Sequence, residues 1–428
     1  MINSDRMHNK LMFWSPIVAV CLLLIAYVFE SAPKLDFDST SYIFSYATRP
    51  PIYPTFVWLF RGFGKHQLEI VMWVQCVFSL LSLLYISRWL HKHLLISGLS
   101  ILFILLLTVS LIFIYYQTLQ TICSEAIAFP VFIVTFSLLV ECFYTFNIKK
   151  LILLVIFTNI LILTRAQFYY FYFLFMLLVA WYGWKKIPIK KIFLTLLIMI
   201  LSITATAIIN RSYHLLKHGH FADVPFIGTQ LIVQALFLSN TDAAQFFENS
   251  TEKNLFLSLI KQLEELKLTK NSSMLAMKPA QGFHATYAYY TAVYPSILQA
   301  NDSILGEIAT YQKEAIALNI SKVLYWHAIK ENSLFYFWKL ISFFGDISIF
   351  LFFFIAFFTS SIRIFIPRNG NTSFYSIYIW LSLLTILVNT AFVAIFEPLL
   401  PSYSFYSYFL IFCLGGLLGK TLLTAKYT

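Results

Sequence analysis

The sequence predicts an all-α polytopic membrane protein with about ten transmembrane helices, and three observations predict it. The 428 residues are 60% hydrophobic and 19% aromatic with only 11% charged, against about 25% charged in an average globular chain. The mean hydropathy of +0.77 is concentrated in runs of roughly twenty residues, the length that crosses a hydrocarbon core of about 30 Å. The net charge of +11 collects in short connecting segments, as the bias of Lys and Arg toward cytoplasmic loops requires. Soluble, disordered and fibrous classes are excluded, and the basic excess needs no nucleic-acid partner.

Apolar stretches fall at 11–29, 69–87, 94–114, 124–146, 151–164, 167–184, 191–209, 335–358, 374–395 and 403–423. The first follows a polar start with Arg6 and Lys10 and lacks a small-residue cleavage pattern, so it reads as an uncleaved span. With the N-terminus inside, the inner segments hold fourteen basic residues and two acidic ones, a net of +12, and the rest of the chain nets −1. The fifth stretch spans only about 21 Å at 1.5 Å per residue. Lysine pairs flank stretches five and six, so the chain must go out and return as a short helical hairpin. Its turn is Thr164-Arg165-Ala166-Gln167. An arginine sunk there is costly unless an anionic group or a water-filled cavity meets it.

This threading gives an N-terminal transmembrane module, 1–209, whose first outer loop covers 30–68. A mostly helical outer segment follows at 210–334, then C-terminal transmembrane helices at 335–428. Leu255, Leu259, Leu263 and Leu266 share one face of a helix in the outer segment. The five cysteines, Cys21, Cys76, Cys123, Cys142 and Cys413, lie in or beside apolar runs without metal-ligand or disulfide spacing.

Ionisable residues are sparse at mid-span, which counts against a transporter. Polar chemistry collects instead at one surface: Asp36, Asp38 and Arg49 in the first loop, Glu125 opening the fourth span, Arg165 in the hairpin and Glu397 before the last span. Carboxylates beside guanidinium groups suit a reaction in which a hydroxyl loses a proton and a phosphate leaves. The carboxylate serves as general base and the arginines as phosphate donors.

The first loop reads Asp38-Ser39-Thr40-Ser41-Tyr42 and then Arg49-Pro50-Pro51-Ile52-Tyr53-Pro54. This resembles the GT-C superfamily of integral membrane glycosyltransferases, especially bacterial relatives of the aminoarabinose and dolichyl-phosphate-mannose transferases. There an aspartate in the first outer loop precedes a basic-Pro-Pro-x-Tyr element. Ser124-Glu125, Leu163-Thr164-Arg165, Glu397 with Tyr403 and Tyr406, and the segment from Trp326 to Phe335 follow in the family's order. Two positions depart from it: Ser402 stands where an arginine would precede Tyr403, and Ser333 stands where a proline would follow Asn332. The match covers about the first 185 residues well and the remainder by layout.

The resemblance implies that Asp38 is the catalytic base, with Asp36 the second candidate, and that Arg49 and Arg165 bind the donor phosphate. Tyr53, Glu125, Glu397 and Tyr403 are the supporting residues. It implies a polyprenyl-phosphate-sugar donor, an acceptor that is a lipid glycan, polysaccharide or protein, and inversion at the anomeric carbon. It also implies an active site on the periplasmic face of a bacterial inner membrane. No cofactor is firmly implied; a divalent cation could use the Asp36 and Asp38 pair, but a donor with one phosphate needs none. The prolines fix φ and force entry into an interfacial helix near 52–63, with the rings of Tyr53, Trp58 and Phe60 expected at head-group level.

His214, His218, His220 and Asp223 are a weak metal-ligand pattern, since Gly219 is expected to end any helix there. Asn249, Asn271, Asn301 and Asn319 fit a glycosylation acceptor pattern that has meaning only in a eukaryotic secretory compartment. The alternative enzyme class is a lipid-linked glycan polymerase or ligase, which would depend on an outer-segment arginine, and Arg211 is the only one. The alternative outside enzymes is a lipid or glycan flippase.

Overall fold

The computed structural model describes residues 2–36, 38–225, 227–265, 310–327, 333, 337–342, 344–366, 372–396 and 401–425. Among these the chain is helical, and its one β-type contact is an isolated parallel bridge between Lys34 and Thr121. Among the described residues seven helices are long and apolar enough to cross a membrane: Arg61–Leu94, Gly98–Tyr115, Glu125–Tyr144, Ala166–Trp184, Ile189–His218, Ile347–Phe365 and Phe374–Ile395. Shorter apolar stretches lie at Phe13–Phe29 and Phe405–Leu418. The chain is a multi-pass membrane protein.

Two compact units divide it: Met1–Tyr213 with Ala356–Ile386 and Ser404–Thr428, and His214–Ile355 with Leu387–Tyr403. The first unit begins with helix α1, Ile2–Phe29, then two short loop helices, α2 at Ser39–Ile43 and α3 at Ile52–Leu59. The long α4, Gln67–Leu94, ends on Leu95 in the left-handed conformation. Ser97 restarts the chain by accepting the Ser100 amide at the head of α5, Gly98–Thr108. The expected span at 94–114 therefore starts later. A left-handed residue stops the helix, and a serine side chain satisfies one of the orphan amides of the next. From Val109 to Tyr115 the helix widens into a π turn.

Next comes α6, Glu125–Tyr144, whose apolar stretch is 89% buried, against 22% for that of α9 (Ile189–His218). That contrast makes α6 the central helix of the unit and α9 a peripheral one with an apolar outer face. Against α6 pack α4 and α7, Ile148–Thr164, which opens where the Asn147 side chain accepts the Lys150 amide. Arg165 is extended. A short 3-10 turn, Ala166–Tyr169, then leads into α8, Tyr170–Trp184. At the far end of α6, Glu141 accepts Trp89 Nε1 at 2.6 Å and faces Lys150 Nζ at 2.5 Å, joining α4, α6 and α7.

The expected boundary at 209/210 falls inside α9, which runs 30 residues to His218. A helix satisfies its own backbone and has no need to stop where its side chains turn polar. Gly219, at φ +77, ends it.

The second unit has its own core. Here α10, Ile227–Leu238, and α11, Ser250–Glu265, pack with α12, Thr310–His327, through Ile232, Leu236, Leu255, Phe256, Leu259, Ile260, Leu263 and Ile320. Leu255, Leu259 and Leu263 share the buried face as their spacing predicts, and Leu266 lies outside the described residues. Asn249 caps α11, its Oδ1 accepting the Thr251 amide at 2.8 Å. The expected span at 335–358 is interrupted. Gly345 takes φ +77, and Asp346 caps a new helix, α13 (Ile347–Phe365), by accepting the Ser348 amide. The last helices are α14, Phe374–Phe396, and α15, Phe405–Ala425.

Candidate active site in the first unit

The first half of the first loop is fastened to the segment before α6 at Lys34, Ser39 and Tyr42. The Lys34 amide donates to the Gln120 carbonyl at 2.8 Å, and the Ile122 amide donates to the Lys34 carbonyl at 3.0 Å. Ser39 Oγ lies 2.9 Å from the Ile122 carbonyl and 2.7 Å from the Asp36 carboxylate. The Asp36 Oδ1 atom also accepts the amides of Asp38 and Ser39. Asp36 is thus the residue that holds the start of α2. Desolvation raises its carboxyl above the ordinary value, and the nearby charges of Glu125 and Asp38 add to the rise.

Asp38 begins α2, and Ser41 and Tyr42 follow on the same face one turn later. Arg49 returns to that face. Its Nη2 pairs with Asp38 Oδ1, its Nε donates to Ser41 Oγ at 2.7 Å, and its Nη1 donates to Tyr42 at 3.4 Å. The Arg49 guanidinium also sits 4.7 Å from the centre of the Tyr42 ring, a cation–π contact. Pro51 is the N-cap of α3, where a missing amide costs nothing because the first amides of a helix have no intrahelical acceptor, and the Thr55 amide donates to the Pro51 carbonyl at 3.1 Å.

Tyr53 departs from its expected place. Its ring is fully buried, 4.8 Å from the Tyr42 ring, and its hydroxyl donates to Gln75 Oε1 at 2.6 Å. Gln75 in turn donates to the carbonyls of Leu119 and Thr121. The phenol needs a hydrogen-bond partner on burial, and α4 offers Gln75 inside the protein, whereas a head-group position would leave Gln75 without that donor. Trp58 remains exposed, with the Arg61 guanidinium 4.2 Å from its ring centre, and Phe60 is half-buried.

Arg165 is 9% exposed and meets Glu125, with Nη1 2.5 Å from Glu125 Oε1 and 3.1 Å from Ser124 Oγ. The anionic partner that a sunken arginine needs is therefore a protein carboxylate at the head of α6. Ser124 Oγ also lies 3.0 Å from the Tyr42 hydroxyl. One continuous polar chain, Asp38–Arg49–Tyr42–Ser124–Arg165–Glu125, joins residues more than a hundred positions apart. Beneath it the rings of Tyr42 and Tyr53 pack with Val57, Val71, Ile122 and Ile127. The Tyr406 ring is buried against Phe168, 4.7 Å between centres.

The structure brings together Asp36, Asp38, Arg49, Glu125 and Arg165, and places Tyr53 directly behind them. Tyr403 belongs to the second unit, its carbonyl accepting Asn389 Nδ2 at 3.3 Å, and Glu397 lies outside the described residues, as do Asn271 and Asn301. Sequence reasoning assigned no role to Ser41, Tyr42 or Gln75. Their signal was the one-turn spacing of Asp38 to Ser41 and Tyr42 and an isolated glutamine in an apolar span.

In the second unit His214 Nδ1 is 2.8 Å from the Tyr311 hydroxyl, and the His220 ring is 4.7 Å from the Tyr311 ring. Among the described residues no three His, Cys, Asp or Glu side chains gather in a metal-binding arrangement. Comparison with known proteins finds no matching family model, no matching curated protein and no matching solved structure.

Proposed function

We propose that this chain is a membrane glycosyltransferase that moves a sugar from a polyprenyl-phosphate donor to an acceptor hydroxyl. The observation that carries the reading is the convergence of two guanidinium groups, Arg49 and Arg165, with the Asp38 carboxylate in one hydrogen-bonded cluster built from three separate stretches of chain. Asp38 takes the acceptor's hydroxyl proton, and the freed oxygen attacks the anomeric carbon. The bond from that carbon to the phosphate oxygen breaks, leaving its electron pair on the lipid phosphate, and configuration inverts. Both arginines stabilise the charge that develops there.

Arg49 links the two tasks, because the guanidinium that would hold the phosphate is the one now paired with the base. A phosphate that takes Arg49 Nη2 in place of Asp38 releases the carboxylate for proton transfer while Nη1 stays on Tyr42. The remainder of the proposal is the threading: ten crossings including the short pair α7 and α8, the N-terminus in the cytoplasm and the cluster on the periplasmic face. The acceptor is a lipid glycan, polysaccharide or protein, and the family kinship to GT-C enzymes rests on the loop motif.

The test is mass spectrometry of lipid-linked glycans after incubating the purified protein, in lipid, with a polyprenyl-phosphate sugar. Wild type is expected to release polyprenyl phosphate and glycosylate an acceptor, and Asp38→Asn to lose about a hundredfold to ten-thousandfold in rate. A folded Asp38→Asn protein at full rate refutes the assignment. Translocation of a labelled lipid without transfer supports a flippase instead.

A further inference from the structure

Two hydroxyl groups stand between the two arginines, and simple counting fixes which way their protons point. Tyr42 is 4% exposed and Ser124 1%. A guanidinium only donates, so the Tyr42 hydroxyl oxygen accepts from Arg49 Nη1 and Ser124 Oγ accepts from Arg165 Nη1. Burial pushes the Tyr42 phenol up to about 12, so it keeps its proton at neutral pH. A carboxylate only accepts, and the Ser124 hydroxyl donates to Glu125 Oε2 at 3.3 Å. The Tyr42 proton therefore runs to Ser124 Oγ, 3.0 Å away.

The chain has a single polarity, from Arg49 to Tyr42 to Ser124 to Glu125, with Arg165 joining at Ser124. Each end is anchored by a different element. Tyr42 is wedged edge-on against the buried Tyr53 ring, 4.8 Å between centres, and Ser124 is the residue that precedes α6. Neither hydroxyl can shift without breaking a bond to an arginine.

We infer that the Tyr42–Ser124 hydroxyl pair is the positioning element of an anion clamp, fixing Arg49 and Arg165 relative to each other so that both donate to one phosphate group. This rests on the proposed reading of the arginines as holders of a lipid phosphate. It adds that the selectivity for a phosphorylated lipid depends on two neutral side chains that need not touch it. Two guanidinium groups held at a fixed separation bind one anion without first losing side-chain freedom, which is where preorganisation gains affinity. Because the two hydroxyls form one link, cutting at either place breaks it.

The experiment measures binding of undecaprenyl phosphate and of undecaprenol, the same lipid without its phosphate, to the full-length protein in phosphatidylethanolamine/phosphatidylglycerol nanodiscs. Wild type is expected to prefer the phosphate at least tenfold. Tyr42→Phe and Ser124→Ala each break the Tyr42–Ser124 bond along with a bond to an arginine and should each reduce that preference at least about fivefold, and the double variant should lose little more than the larger of the two single losses. Undecaprenol binding should be the same in all four proteins, whereas a merely structural defect would weaken both lipids together.

Retention of the full preference in either single variant overturns the inference while leaving the phosphate reading intact. So do losses that multiply in the double variant, or a fall in undecaprenol binding equal to the fall in phosphate binding. A wild-type protein that binds both lipids equally overturns the phosphate reading itself, and the clamp with it.

Discussion

Replacing Glu125 by alanine withdraws the carboxylate that faces a buried guanidinium, and the cost follows from the burial of the pair. The side chains of Arg165 and Glu125 are 9% and 13% exposed, with 2.5 Å between Nη1 and Oε1. Two charges so far from water repay their desolvation only through each other, and removal of one partner from such a pair costs about 3–5 kcal/mol. The same alanine also removes the acceptor of the Ser124 hydroxyl.

Glu125→Gln keeps an acceptor oxygen and should cost about 1–3 kcal/mol. The double variant Glu125→Leu/Arg165→Met removes both charges and fills the space, so it should fall within about 2 kcal/mol of wild type. The coupling between the two sites is then at least about 2 kcal/mol. Equilibrium unfolding in mixed micelles, followed by tryptophan fluorescence, measures these variants together with the single Glu125→Leu and Arg165→Met proteins that close the cycle. If Glu125→Ala costs less than about 1 kcal/mol, or the single costs add in the double variant, the pair is not a buried, mutually dependent one and the argument fails.

Three further outcomes follow from the same geometry. A Cβ on Gly228 would run into the Glu314 carbonyl and lie 2.8 Å from the Leu318 amide nitrogen, backbone that cannot swing aside. Gly228→Ala should therefore push α10 from α12 at a cost of about 1–3 kcal/mol, seen as easier proteolysis of the second unit. Tyr53→Phe leaves Gln75 Oε1 buried without its donor and should destabilise by about 1–3 kcal/mol, with an unchanged melting temperature refuting the Tyr53–Gln75 link. The Asp36 carboxyl is raised above its unfolded value of 3.8, so the protonated form is favoured by folding. Its contribution is complete below pH 3.8 and is lost as pH rises through the folded value. Asp36→Asn, which removes that loss, should gain stability relative to wild type as pH goes from 4 to 7; a gap that narrows instead would contradict the assigned shift.

The sequence was most legible where a property depends on neighbours along the chain. Pro50-Pro51 sets the entry to α3, Gly219 ends α9, and Leu255, Leu259 and Leu263 line one face of α11, because φ restriction and a 3.6-residue period are local. The apolar runs located membrane helices for the same reason. Their ends were less legible. The 94–114 and 335–358 stretches look continuous in hydropathy, yet Leu95 delays the start of the first and Gly345 interrupts the second by adopting positive φ, which hydropathy does not register. Tyr53 was misplaced because an aromatic beside prolines in an outer loop has the composition of an interfacial anchor. Only the approach of Gln75 from α4 gives its hydroxyl a buried partner.

By itself the sequence determined that this is a multi-pass helical membrane protein, and it named the charged residues worth examining, since both follow from composition and local spacing. Only the tertiary structure decided how those charges are shared. Pairing Asp38 with Arg49 and Glu125 with Arg165, and bridging the pairs through Tyr42 and Ser124, requires the first loop, the head of α6 and the end of α7 to meet. That meeting is set by long-range packing around α6 and by the two backbone hydrogen bonds at Lys34, terms that no local pattern carries.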